Sequence, residues 1–289
     1  MAITQNRKGD IYVGRSITSK ADINARYFMQ ASEDIVSSIP YGNNATAGHY
    51  VQAVDARIYY EVYGQGSPLL VLHGGGVGCT YEMGRFIDRL SEKYQVIAVS
   101  TRGHGKSEIG SQHITHKQRA DDALAVLTAV TDKPAIVLGF SDGAYSGYKL
   151  AFLYPDKVRK LIAIGAGENI PALRQIPCTK IEDIRKLDPA FINLQLKLAP
   201  EPERLQAYWD DFFGFYNRLI VSKELFGSIC CPTLLIVGEL DQNAPLATVL
   251  AAYHMIPKAQ LAVIANAPHT AFISNFDAVW ANIVPFLSE

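Results

Sequence analysis

The chain has 289 residues, 48% of them hydrophobic, and a formal net charge of −1. That is enough apolar material for one large α/β domain or two smaller ones. The even charge balance gives no electrostatic ground for a nucleic-acid or membrane-surface partner. No run approaches the roughly 18 consecutive apolar residues of a membrane span. The opening MAITQNRKGD lacks the basic-then-apolar order of a secretory signal. The chain as given therefore reads as cytoplasmic, with a secreted or periplasmic place open if a leader was removed. Cys79, Cys178, Cys230 and Cys231 show neither metal-ligand spacing nor a disulfide framework. Cys230 and Cys231 adjoin an apolar strand and read as core thiols. Asn44-Ala45-Thr46 fits a glycosylation acceptor, a triplet common by chance.

Residues 1–45 read as an N-terminal extension. A helix is expected from Ala21 to Ser38, packed on the body through Ile23, Tyr27, Phe28 and Ile35, with a turn at Pro40–Asn44. Tyr50–Val54 and Ile58–Tyr63 predict an antiparallel hairpin joined at Asp55-Ala56. Leu69–Leu72 predicts a buried strand running into His73-Gly74-Gly75-Gly76. Met83, Phe86, Ile87 and Leu90 then share a helical face. Val96–Val99 is the next strand, followed by Arg102-Gly103-His104-Gly105-Lys106-Ser107. A helix carrying Ala120, Ala123, Leu124 and Leu127 leads to the strand Ala135–Leu138. Further strands are expected at Val158–Gly165, Thr233–Val237 and Leu261–Ala265, with helices near Leu246–Met255 and Phe276–Phe286. Buried strands alternating with helices predict a mainly parallel twisted sheet of eight strands, covered on both faces.

The stretch 167–227 is too long for an ordinary crossover. It predicts an inserted helical cap, with core at 46–166 and 228–289. Its aromatic cluster, Tyr208, Trp209, Phe212, Phe213, Phe215 and Tyr216, serves mainly as the cap's own core, with some rings facing the sheet edge.

Gly139-Phe140-Ser141-Asp142-Gly143 sits between a strand and a helix and fits G-x-S-x-G. A serine on such a turn stands clear of the sheet, at a helix N-terminus. Its hydroxyl needs a base, and the base needs an orienting acid. In an open parallel sheet, ligand-facing groups lie beyond the carboxyl ends of strands. Asp241 follows one strand end and His269 the next, and the order Ser141, Asp241, His269 suits a triad on such a sheet. Glu168, after the strand ending near Gly165, is the rival acid. For the oxyanion hole, the backbone amides of Gly75 and Asp142 form the expected pair, with Gly76 as a replacement for Gly75. Gly74, Gly76, Phe140, Trp209 and Phe212 are expected to line the substrate space. The Asp142 carboxylate is expected to point away or to cap the helix.

Together these segments resemble the α/β-hydrolase fold superfamily, in its capped, esterase-like branch, over about residues 46–289. The resemblance rests on His73-Gly74-Gly75-Gly76, Arg102–Ser107, Gly139–Gly143, Gly238-Glu239-Leu240-Asp241 and Pro268-His269. It implies nucleophile, acid and base at Ser141, Asp241 and His269. Serine at the first position counts against the superfamily's dehalogenases and epoxide hydrolases, which use aspartate. Ser100-Thr101 stands where an aspartate often precedes the Arg-Gly turn.

Gly105-Lys106-Ser107 ends like a phosphate-binding loop, but Ser100 stands where that loop needs glycine, so nucleotide binding is rejected. His104, His113, His116 and His254 have no evident partner and read as surface or loop residues. The expected activity is cleavage of a small-molecule carboxylic ester, lactone or thioester through an acyl-enzyme, with no metal or cofactor. Amide, peptide or carbon–carbon bond hydrolysis, or a slow small-ligand receptor, are the alternatives on the same parts.

Overall fold

Alternation of apolar runs and amphipathic stretches becomes alternation of strand and helix. A computed structural model of the chain describes residues 24–31, 34, 36–171, 173 and 175–288. β1 (Gly48–Ala53) and β2 (Ala56–Tyr63) form the expected hairpin, with Tyr50 opposite Tyr59. β3 (Ser67–Leu72), β4 (Tyr94–Val99), β5 (Ala135–Phe140), β6 (Val158–Ile164), β7 (Thr233–Gly238) and β8 (Ala259–Ile264) run parallel to one another. The eight-stranded sheet has the order β1-β2-β4-β3-β5-β6-β7-β8. Every residue of β5 is buried, which is why that strand reads as a continuous apolar run.

The chain steps outward from β3 to β4 and returns across β3 to β5. That reversal leaves a crevice beyond the strand ends, where ligands bind in open α/β sheets. The register aligns those ends: Leu72 pairs with Val99 and Gly139, Phe140 with Ile164, and Gly238 with Ile264. Every loop leaving a parallel strand therefore meets the same edge.

Helices α1 (Gly84–Leu90), α2 (His116–Val130) and α3 (Asp142–Leu153) connect the first half of the sheet. Thr115 caps α2 by accepting from the Gln118 amide at 3.0 Å. Between β6 and β7 come α4 (Ile181–Leu187), α5 (Pro189–Leu198), α6 (Leu205–Arg218) and α7 (Lys223–Phe226). The two legs of this excursion meet in an antiparallel bridge between Asn169 and Val221. The Asn169 side-chain amide also donates to Leu219 O at 2.7 Å. α8 (Leu246–Met255), α9 (Ala271–Ser274) and α10 (Phe276–Ser288) complete the layers. No helix among the described residues is long and apolar enough to cross a membrane.

The described residues of 24–38 depart from the expected helix, while the turn at Pro40–Asn44 forms, with Asn43 N bonded to Pro40 O at 2.8 Å. The described part of Ala21–Ser38 is turns and bends, not helix; Ile23 and Ile35 lie outside the described residues. Local side-chain bonds compete with the helix there. Gln30 accepts from the Tyr27 amide at 3.0 Å and donates to Asp34 O at 2.6 Å. Met29 takes φ 58°, with its amide bonded to the Asp188 carboxylate at 2.9 Å. The segment is also built into the body. Tyr27, Val36 and Tyr41 join the core, Phe28 packs edge-on to Phe191, and Glu61 accepts from the Gly42 and Asn44 amides. Two further expectations fail. Cys230 is exposed and Cys231 half-buried, because the turn before β7 runs over the surface.

One buried charge cluster ties three segments together. Arg102, 1% exposed, forks onto Asp122 of α2 at 2.7 and 2.8 Å and reaches Asp55 of the β1–β2 turn at 2.8 Å. Burial pushes the Asp55 carboxyl up, but the Ser111 and Gln112 amides and Arg102 bring it down to about 2. Removing the cation would strand two carboxylates. Arg102→Met is expected to cost about 3–5 kcal/mol, read from urea unfolding midpoints. A loss below about 1 kcal/mol would show that water screens the cluster.

Candidate active site

The turn after β5 is set by backbone sterics. Ser141 takes φ 49° and ψ −113°, a region L-residues seldom occupy. Its amide donates to Ile164 O at 2.8 Å, and its carbonyl accepts from the Ala144 and Tyr145 amides at 3.0 Å. The flanking glycines are required by close approach. A Cβ on Gly139 would lie 2.4 Å from Gly143 O, and one on Gly143 would lie 2.3 Å from Leu72 O. Both obstacles are backbone and cannot swing aside.

Three side chains from three strand ends join above this turn. His269 Nε2 lies 3.0 Å from Ser141 Oγ, and its Nδ1 lies 2.8 Å from Asp241 Oδ2. Asp241 Oδ1 accepts from the Asn243 and Ala244 amides at 2.8 and 2.7 Å, which fixes the carboxylate plane. The loops of β7 and β8 are stitched together by Leu240 N to Ala267 O at 2.9 Å and Asn266 N to Glu239 Oε2 at 2.8 Å. Phe140 packs on the imidazole, ring centres 4.9 Å apart. Glu168 hydrogen-bonds Ser222 instead of His269.

The glycine loop after β3 is braced from both sides. His73 Nε2 accepts from the Thr101 amide at 3.0 Å, so its Nδ1 carries the proton and donates to Gly74 O at 2.6 Å. Complete burial, and His104 nearby, push His73 well below the ordinary histidine range. It is a neutral brace. Glu82 Oε1 accepts from the Gly74 amide at 2.8 Å. Gly75 backs onto Asp142: a Cβ there would stand 3.0 Å from Asp142 Cβ. The Asp142 amide is in the first turn of α3, where helix amides lack an intrahelical acceptor.

The profile of the α/β hydrolase fold family matches residues 68–197. A putative carbamate hydrolase of Azorhizobium caulinodans is 28% identical over 241 residues, covering 74% of this chain and 89% of that one. A 2-hydroxymuconate semialdehyde hydrolase of a Pseudomonas species is 26% identical over 271 residues, covering 86% and 96%. Among solved structures, a serine hydrolase involved in carbazole degradation superposes with a TM-score of 0.71 at 22% identity, covering 83% and 98%. The chain has the α/β-hydrolase fold.

In this α/β-hydrolase, α6 covers the site. Phe212 reaches Gly75, its Cζ 2.2 Å from where a Cβ would be, and Phe213 approaches Gly76. Trp209 stands edge-on to Phe213, one ring further from the loop. The Asp142 carboxylate neither points away nor caps α3. It is 2% exposed, pairs with Arg119 of α2 and accepts from Tyr216 OH at 2.6 Å. His104 is buried, not on the surface, with its ring between His73, Tyr208 and Phe212. Burial, then Arg119, lowers it to about 4. His116 is half-buried and bonds Tyr145 O at 2.8 Å. His113 and His254 are exposed, as expected. Sequence reasoning missed Arg119, and placed Tyr208 and Tyr216 in the cap's aromatic cluster without their polar contacts. The one available signal is the four-residue spacing of Tyr208, Phe212 and Tyr216 on a helix face.

Glu82 gives this loop a pH dependence. Burial raises its carboxyl to about 8 against the pull of the Gly74 and Cys79 amides. The folded chain thus keeps a proton that the unfolded chain releases near 4.5, and stability falls as pH rises from about 4.5 to about 8. Glu82→Gln keeps the carbonyl acceptor and removes the proton. The difference in urea midpoint between variant and wild type is expected to move in the variant's favour from pH 5 to pH 8. A difference constant with pH would mean that Glu82 ionises normally.

Proposed function

We propose that this hydrolase is a serine hydrolase cleaving a small-molecule carboxylic ester, lactone or thioester through an acyl-enzyme. The observation that carries the reading is the hydrogen-bonded series Ser141–His269–Asp241 beside two backbone amides at one sheet edge. Asp241 accepts from Nδ1, which leaves Nε2 as the base facing the serine. His269 then takes the Ser141 proton as Oγ attacks the substrate carbonyl. The amides of Gly75 and Asp142 receive the developing oxyanion. His269 returns the proton to the leaving oxygen, and water repeats the sequence to free the acid. Gly74, Gly76, Phe140, Phe212 and Trp209 line or back the substrate space, and residues 167–227 act as a cap inserted in a core of 46–166 and 228–289.

The two relatives named above carry the names of a putative carbamate hydrolase and a 2-hydroxymuconate semialdehyde hydrolase, so similarity alone does not choose the substrate. An oxygen or sulfur leaving group makes the least demand on these parts. The His269 proton is enough for an alkoxide or thiolate leaving group, whereas carbon–carbon cleavage on the same triad requires a substrate that carries its own electron sink. The neighbours of Ser141 are aromatic rings and backbone amides.

Ser141→Ala is expected to lower kcat on short-chain aryl esters by about 10⁵–10⁶, and a fluorophosphonate should label wild type alone. Label retained by the variant would move the nucleophile elsewhere. Ligand-induced stabilisation without turnover would mark a receptor.

The acid is tested separately. Asp241→Asn is expected to cost about 10⁴ in kcat, the size of that change in a well-studied protease triad. Glu168→Gln should change kcat less than about threefold, since its carboxylate meets Ser222. The reverse ranking would transfer the orienting role to Glu168.

A further inference from the structure

The residue after the serine offers more than an amide. Asp142 and Arg119 form an ion pair in which the side chains are 2% and 3% exposed. Three residues of α6, four apart, close over that pair. Tyr216 OH donates to Asp142 Oδ1 at 2.6 Å. Tyr208 OH accepts from Arg119 Nη1 at 3.2 Å and donates to Arg102 O at 2.6 Å. Phe212, between them, lies under the Arg119 guanidinium, 5.7 Å from its ring centre, and against Gly75. Burial works against the Arg119 cation, but Asp142, Tyr208 and Tyr216 outweigh it and hold Arg119 above its ordinary range.

We infer that the Asp142 carboxylate, held by Arg119 and Tyr216, is a positioning group for the reaction: it fixes the Ser141–Asp142 peptide so that its N–H faces the oxyanion, and it seats α6 over that amide. The inference rests on Ser141 being the nucleophile. The peptide concerned follows a residue at φ 49° and ψ −113°, a strained geometry that persists only where neighbours over-determine it. Ala144, Tyr145 and Ile164 hold the serine itself. On the Asp142 side, Ser146 Oγ donates to Asp142 O at 2.9 Å, and the side-chain grip adds the second restraint. A carboxylate bonded through both oxygens cannot rotate about χ1, and the amide one atom from its Cα moves with it. The same grip places Phe212 against Gly75, so both amide donors are backed by one helix.

A merely structural ion pair would stabilise the fold without touching the chemical step. Tyr216→Phe separates the two roles, because it removes one hydroxyl and keeps the ring packed on Phe212 and Tyr145. Steady-state kinetics on a p-nitrophenyl ester and the second-order rate of fluorophosphonate labelling are measured together. Phosphonylation also places an oxygen in the oxyanion site. The expected result is a roughly tenfold fall in kcat and in labelling rate, with KM within about twofold, since small misplacements of reacting groups are costly. Asp142→Asn should lose more, towards the roughly 10²–10³ of a lost oxyanion donor. Tyr41→Phe is the control. It loses a similar tyrosine–carboxylate bond, 2.6 Å to Asp88, with no contact to Asp142 or α6, and should leave kcat unchanged. If Asp142→Asn fails to fold, Tyr216→Phe decides alone. Tyr216→Phe with wild-type kcat and labelling rate, or with a loss matched by Tyr41→Phe, overturns the inference and leaves the nucleophile in place. A wild type that labels somewhere other than Ser141 removes the nucleophile and this inference together.

Discussion

The site depends on one backbone constraint: a serine held at positive φ between a buried strand and a buried helix. Such geometry costs on the order of 1–3 kcal/mol. The surroundings hold it by crowding and by hydrogen bonds. Gly139 and Gly143 let strand and helix approach until only hydrogen atoms fit between them. Neighbouring β6 takes the serine amide. The helix that starts at Asp142 then leaves its first amides without intrahelical acceptors beside the serine. The serine is thus presented by packing that the whole parallel sheet enforces, and its loop can stay rigid while the loops around it vary.

The parallel register explains why much of this was legible in the chain. Each parallel strand delivers its next loop to one edge, so Asp241 and His269, 28 residues apart, and Ser141, 128 before the histidine, meet without any local sequence signal. Apolar runs gave the strands, and glycines marked the turns. No helix forms in the described residues of 24–38: apolar spacing registers burial but not the Gln30 and Asp188 bonds that replace a helix. His104 and His116 were misplaced for a related reason. A buried neutral imidazole has no sequence signature, only partners supplied by other elements. Cys230 and Cys231 looked like core because they adjoin a strand, yet the turn before a strand lies outside the sheet.

Polar burial was the least legible layer, and it does work that apolar burial cannot. Two arginine clusters lie under the site, Arg102 with Asp55 and Asp122, and Arg119 with Asp142. Tyr208 joins them, since its hydroxyl meets both the Arg119 guanidinium and the Arg102 carbonyl. Buried ion pairs are weak contributors to net stability, because desolvation offsets the attraction. Their effect here is on position.

An aromatic helix laid on an apolar surface has several seats of similar energy, one turn apart. Phe212, Phe213 and Phe215 on α6 would satisfy the hydrophobic effect in more than one of them, because that effect has no direction. A hydroxyl facing a buried carboxylate does not tolerate the slip. Moving α6 by a turn would leave the Asp142 oxygen and the Arg119 guanidinium short of partners in a water-poor interior, at about 1–3 kcal/mol for each unsatisfied group and more for charged ones. The polar contacts therefore select one register among apolar alternatives. That register places Phe212 against Gly75 and Phe213 near Gly76, which sets the ceiling above the serine. The seat of α6 over the glycine loop is accordingly fixed by two tyrosine hydroxyls and an ion pair.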